Sequence, residues 1–160
     1  MITERITISK SAVYDEVAKT TSYIGKKKFN DNATGYMRMF TTDADQLMLE
    51  RFWSEACNVA TDLMKPFIVD VNHRPDSYVE VASTDDYTVL LQLPENFSTS
   101  LTSSMCNSLF NYFMSAIVGK WCKFTNNEES ETYLQEASRM LNDARSKLYY
   151  RNKPTRVPVE

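Results

Sequence analysis

At 160 residues, with 42% hydrophobic and 24% charged side chains, the chain can build one self-sufficient core and is too apolar to stay disordered. A net charge of −3 argues against general nucleic-acid binding, and three cysteines at irregular spacing do not make a disulfide framework. Only three glycines leave glycine-lined phosphate loops scarce and favour long helices.

Residues 1–20 alternate polar and apolar types without the continuous apolar run of a secretory signal, and no stretch is apolar enough to span a membrane. The chain is therefore read as a soluble, intracellular protein. Ser11 is the expected cap of a first helix running to about Ile24, with Val13, Val17 and Ile24 as a thin apolar stripe and Gly25 as its stop. Lys26-Lys27-Lys28 and a polar loop through Gly35 follow, then a short apolar connector from Tyr36 to Phe40. Thr42 or Asp43 opens a stronger helix. Leu49, Phe52, Trp53, Ala56, Ala60, Leu63 and Met64 recur there at three- and four-residue steps until Pro66 stops it.

The period then changes to two, which predicts a small antiparallel meander or hairpin over about 67–93. Phe67, Val69 and Val71 form one face. Tyr78 to Ser83 alternates again, Thr84-Asp85-Asp86 reads as a turn, and Tyr87, Val89, Leu91 and Leu93 form a further face. A helix starting near residue 99 carries Leu101, Met105, Leu109, Phe113, Ile117, Trp121 and Phe124 at four-residue rhythm. Asn126 and Asn127 break it. The last helix opens on Glu128, Glu129 and Glu131 and keeps Leu134, Ala137, Leu141, Ala144, Leu148 and Arg151 in three-four spacing. Pro154 and Pro158 make the tail extended. The expected fold is thus mainly α with a small antiparallel β element: one helical domain over 1–151 with a β insertion, then an extended arm over 152–160.

Charge is unevenly spread along the chain. Residues 1–40 carry seven basic and four acidic side chains, residues 41–100 three and eleven, and residues 101–160 eight and six. Such polarity suits head-to-tail protein contacts, unless folding mixes the charges over the surface.

Candidate chemistry is thin. Asp70, His73 and Asp76 cluster at a strand end, but one histidine and two acids fall short of a metal-ligand set, and a surface turn accounts for them. Asn30, Asn32, Thr34 and Gly35 follow part of a calcium-loop pattern, yet its twelfth position is Thr41 rather than glutamate. Asp85-Asp86 favours a turn. Cys106 and Cys122, on one helix, lie about 24 Å apart and cannot pair. No catalytic, metal or cofactor site is read, and a non-enzymatic role is expected.

The layout, with its helices, β insertion and extended tail, and the ending Leu148-Tyr149-Tyr150-Arg151-Asn152-Lys153-Pro154-Thr155-Arg156 resemble the small head–tail connector (adaptor, or neck) proteins of tailed bacteriophages. That resemblance implies a virion protein assembled in the host cytoplasm. Copies would form a homo-oligomeric ring, a dodecamer among the sizes implied, that joins the portal protein to a neighbouring neck or tail protein, with DNA only as passing cargo and no membrane contact. It assigns portal contact to the arm residues Arg151, Lys153, Pro154, Arg156 and Val157. The alternatives are a small protein-binding or assembly-chaperone module acting as monomer or dimer, and an enzyme built on Asp70, His73 and Asp76.

Overall fold

The computed structural model describes residues 1–28, 43–72, 86–125, 127–156 and 158–159. Strand β1 (Ile2–Ile8) leads into helix α1 (Lys10–Lys28). Helix α2 (Asp43–Met64) follows, then a 3₁₀ turn at Lys65–Phe67, strand β2 (Ile68–Val71) and strand β3 (Tyr87–Leu93). A second 3₁₀ turn at Thr99–Leu101 opens helix α3 (Thr102–Thr125), and helix α4 (Asn127–Tyr149) completes the set. The protein is mainly helical with a small antiparallel sheet in the order β1-β3-β2.

Two boundaries differ from the expected ones. Helix α1 begins at Lys10 because Ser9, not Ser11, caps it: its hydroxyl accepts from the Ala12 amide at 3.3 Å. The Asp86 carboxylate takes the Lys10 amide at 2.9 Å, so the predicted turn acid also serves this helix end. Gly25 does not stop α1, whose backbone runs on through the three lysines to Lys28. In α2, Pro66 does its expected work, ending the α-helix at Met64 and leaving a 3₁₀ turn.

Strand β1 had no predicted counterpart. Its alternation is read correctly only in three dimensions, where β3 is the central strand and pairs Ile8 with Tyr87, Ile6 with Val89 and Ile2 with Leu93. One face of this ladder, Ile6, Ile8, Tyr87, Val89, Leu91 and Leu93, is buried. Strand β2 departs from simple alternation. A bulge between Ile68 and Asp70 turns Val69 outward to 58% exposure, while Ile68 and Val71 pack on the core.

The core gathers around α3. Met105, Leu109, Phe113, Ile117, Val118 and Trp121 are all buried, and Ser108, Ser115 and Cys122 are covered too, so α3 is surrounded on most sides as an apolar helix must be. Every predicted apolar position of α2 from Leu49 to Met64 is buried. Trp53 packs on Phe113 at 4.9 Å and on Tyr14 edge-on at 6.1 Å. Phe124 is the exception to the α3 stripe: it is 70% exposed and stacks on Phe52. Among the described residues no helix is long and apolar enough to cross a membrane.

Candidate docking surface

The arm leaves the domain from a fixed root. Helix α4 ends at Tyr149, so Arg151 lies beyond the helical stripe rather than in it. There it forms an isolated antiparallel bridge with Phe97, a residue buried to 2% exposure. Its guanidinium donates to the carbonyls of Leu148 and Tyr150, both at 2.8 Å, and sits 5.7 Å from the Phe67 ring. Phe67 in turn meets Tyr149 edge-on at 5.5 Å. The Asn152 amide donates to the Asn96 carbonyl at 2.8 Å. From Lys153 outward, the described arm residues Lys153, Pro154, Thr155, Arg156, Pro158 and Val159 are all exposed, Val159 to 98%. Of the residues assigned to partner contact, Arg151 is thus half-buried at the anchor and Lys153, Pro154 and Arg156 project freely, while Val157 lies outside the described residues.

Around the root is an apolar, aromatic surface that sequence reasoning did not single out. Tyr149 and Tyr150 are each about half exposed, and exposed Val69 follows two residues after Phe67, whose ring meets Tyr149. The paired tyrosines were visible in the sequence, but their exposure depends on α4 ending where it does.

A second feature lies along β1. An open groove of about 660 Å³ is lined by Thr7 and Ile8 of β1 and by Ser100, Ser103, Asn107 and Phe110 at the start of α3, with Cys106 at its side. Burial raises the pKa of the half-buried Cys106 thiol, with the Glu4 charge adding to the rise and the Thr7 backbone opposing it. Cys57 and Cys122 are buried, and burial pushes the Cys57 thiol far above its ordinary range, so neither is poised as a nucleophile.

The most elaborate polar group is structural. Lys10 is only 6% exposed, and its ammonium lies 2.6 Å from the Glu50 carboxylate. The Tyr14 hydroxyl donates to the other Glu50 oxygen at 3.0 Å, and burial with the adjacent Glu50 charge drives the phenol far above its usual pKa. The ammonium also lies over the rings of Tyr14 and Trp53, at 5.6 and 5.9 Å. The group joins α1 to α2, with Lys10 buried and Glu50 partly exposed.

The remaining sequence candidates fall mostly outside the described residues. Asp70 is exposed and accepts from the Val71 amide at 2.9 Å, while His73 and Asp76 lie outside the described residues, as do the Asn30–Gly35 loop and the predicted strand at 78–83. Among the described residues no group of three His, Cys, Asp or Glu side chains is placed to hold a metal ion. In comparisons with known proteins, no family model, no curated protein and no solved structure matches this chain.

Proposed function

We propose that this chain is a non-enzymatic assembly subunit that docks to other protein through its C-terminal arm. The observation that carries this reading is the contrast at Asn152: the chain is clamped up to that residue by the Phe97 bridge and the Asn96 hydrogen bond, and the described residues beyond it are exposed and make no bridge or backbone hydrogen bond to the described part of the domain. An arm whose exit is rigid loses less entropy on docking than a frayed tail, because its direction is already set. Its Lys153 and Arg156 supply charge and its prolines limit the unbound conformations it must give up. Within that class, the resemblance to head–tail connectors gives the specific reading. Copies form a ring in a phage neck, between the portal and the next neck or tail protein, with the arm reaching the portal.

The test is the particle mass in solution of the full chain and of the chain lacking residues 152–160, alone and with a portal-type ring. Arm-dependent assembly, either into a homo-oligomeric ring or onto the portal ring, is the expected result. A monomer or dimer that binds its partner equally well without the arm would replace this reading with the free-standing binding module.

A further inference from the structure

We infer that the outer edge of β1, together with the groove between it and the start of α3, receives the C-terminal arm of a second copy of this chain as an added strand. This rests on the arm-docking reading above and names the receptor.

Among the described residues no strand pairs with this edge. Thr88, opposite Thr7 in the β1–β3 ladder, spends its own amide and carbonyl on Asn72 at the β2 side, at 2.9 and 3.2 Å. Thr7 therefore turns its backbone groups away from β3, and by the two-residue repeat Arg5 and Thr3 do the same. Cys106 lines the groove together with Thr7, and sulfur is at most a weak hydrogen-bonding partner that a peptide group would displace. Among the described residues no hydrogen bond on that side is formed by Arg5 or Thr3. The sheet's other edge, β2, is guarded by its bulge and by exposed Asp70, two ordinary protections against strand addition. Strand β1 has neither bulge nor proline.

The arm is built to add at an edge once. In an extended chain, backbone donors alternate between the two sides. Pro154 and Pro158 are four apart and so fall on the same side, which leaves Thr155 and Val159 with intact amides on the other. One side of the arm can pair and the opposite side cannot propagate a further strand. Lys153 and Arg156 would meet carboxylates there: Glu4 belongs to β1 itself, and Glu95 lies 3.5 Å from the Met1 amino group at the start of β1. Arg5 stands on the solvent face and sets an upper limit on that attraction. The occupant is a second copy because the described arm residues from Lys153 on are exposed and none of them pairs with β1 of its own domain.

Cys106 reports occupancy. The full chain, the chain truncated after Arg151, and the point variants Thr155→Pro, Arg156→Pro and Arg156→Ala are alkylated under native conditions, with Cys106 modification read by mass spectrometry and particle mass by light scattering. In the assembled full chain, at a concentration about ten times the dissociation constant, Cys106 should react about tenfold more slowly than in the truncated chain, since only empty grooves react. A synthetic peptide of residues 152–160 should restore protection to the truncated chain. Thr155→Pro removes a donor from the pairing side and should abolish protection. Arg156→Pro adds a proline to the side already blocked and should match Arg156→Ala. An assembly that falls apart on truncation while Cys106 reacts at one rate throughout overturns the groove and leaves arm docking standing. Mass and labelling that both ignore the arm overturn the two together. Protection in a particle of monomer mass gives the edge to the chain's own arm and overturns the second copy as occupant.

Discussion

The Ser130 hydroxyl donates to the Gly119 carbonyl at 2.9 Å, out of reach of solvent, where α4 packs against α3. A methyl group on Gly119 would stand 2.8 Å from Leu134 side-chain carbons and 3.2 Å from the Leu134 amide nitrogen. A glycine inside a 24-residue helix ordinarily costs stability relative to alanine, by about 1 kcal/mol. Here the close helix approach reverses that preference. Gly119→Ala should therefore destabilise, by about 1 kcal/mol net once overpacking is set against the gain in helix propensity. Ser130→Ala should cost about 1 kcal/mol through the lost buried hydrogen bond. Each should lower the melting temperature by roughly 2–4 °C in a thermal scan, and an unchanged or raised value for Gly119→Ala would show that Leu134 gives way freely.

The Lys10–Glu50 pair predicts a larger and asymmetric effect. Lys10 is almost fully buried and its partner only partly, so removing the ammonium leaves a carboxylate with Tyr14 as its remaining donor in this group. Lys10→Ala should cost about 3 kcal/mol. Lys10→Met keeps the aliphatic stem against Tyr14 and Trp53 and should be less costly. Pairing Lys10→Met with Glu50→Leu should recover much of the loss, because the stranded charge goes too. Chemical denaturation of the three variants gives the comparison, and a double variant as weak as Lys10→Ala would mean that packing, not the stranded charge, sets the cost.

How much of this was legible in the sequence varied by element, for physical reasons. The apolar face of α2 was read residue by residue because a helix records its buried side in a local period, and the predicted positions Leu49, Phe52, Trp53, Ala56, Ala60, Leu63 and Met64 are all buried. Strand β1 was missed because seven alternating residues gain their meaning from β3, about eighty positions along the chain. The Val69 exposure could not be foreseen either, since a bulge shifts the period without a sequence mark. Phe124 continued the α3 rhythm past the point where the core ends. At the docking surface the prolines and basic residues of the arm were visible. The role of Arg151 was not, because its contacts with Phe97 and Phe67 join segments that are far apart in sequence.

Acid should weaken the helix pairing at two carboxylates. Asp143 is held below its usual range by the Lys147 ammonium at 2.6 Å and the Ser108 hydroxyl. At Glu55 burial pushes the pKa up, but Lys120 and Arg51 together outweigh it and the net shift is downward. Depressed folded-state pKa values mean that the stabilisation is complete above the unfolded-state values, about 4, and is lost as pH falls through the lower folded-state ones. Both carboxylates are over a third exposed, at 46% and 40%, so solvent screening holds each contribution to a few tenths of a kcal/mol. The melting temperature should be level from pH 7 to about 5 and fall below about 4. In Asp143→Asn with Glu55→Gln that fall should be shallower, and an identical slope in the double variant would place the acid sensitivity at other groups.

Arg151 and the basic residues beyond it should separate cleanly in experiment. The Arg151 guanidinium closes the end of α4 by capping the Leu148 carbonyl and packs on Phe67, so its task lies inside the domain. Arg151→Ala should lower stability by about 1–2 kcal/mol, since it removes hydrogen bonds from a charged donor along with a ring contact. Lys153→Ala and Arg156→Ala touch exposed side chains and should leave the melting temperature within about 1 °C, because surface changes of this kind usually stay within ±0.5 kcal/mol. Their effect should fall on arm docking, with weaker binding and a steeper loss at high salt in the unmutated chain than in the variants. Arg151→Lys is the discriminating control. Lysine keeps the charge but cannot reproduce the planar guanidinium's two carbonyl contacts and ring stacking together, so it should behave like the alanine variant in a melt. Full stability in Arg151→Lys would reduce the anchor to charge alone and return Arg151 to the set of partner contacts.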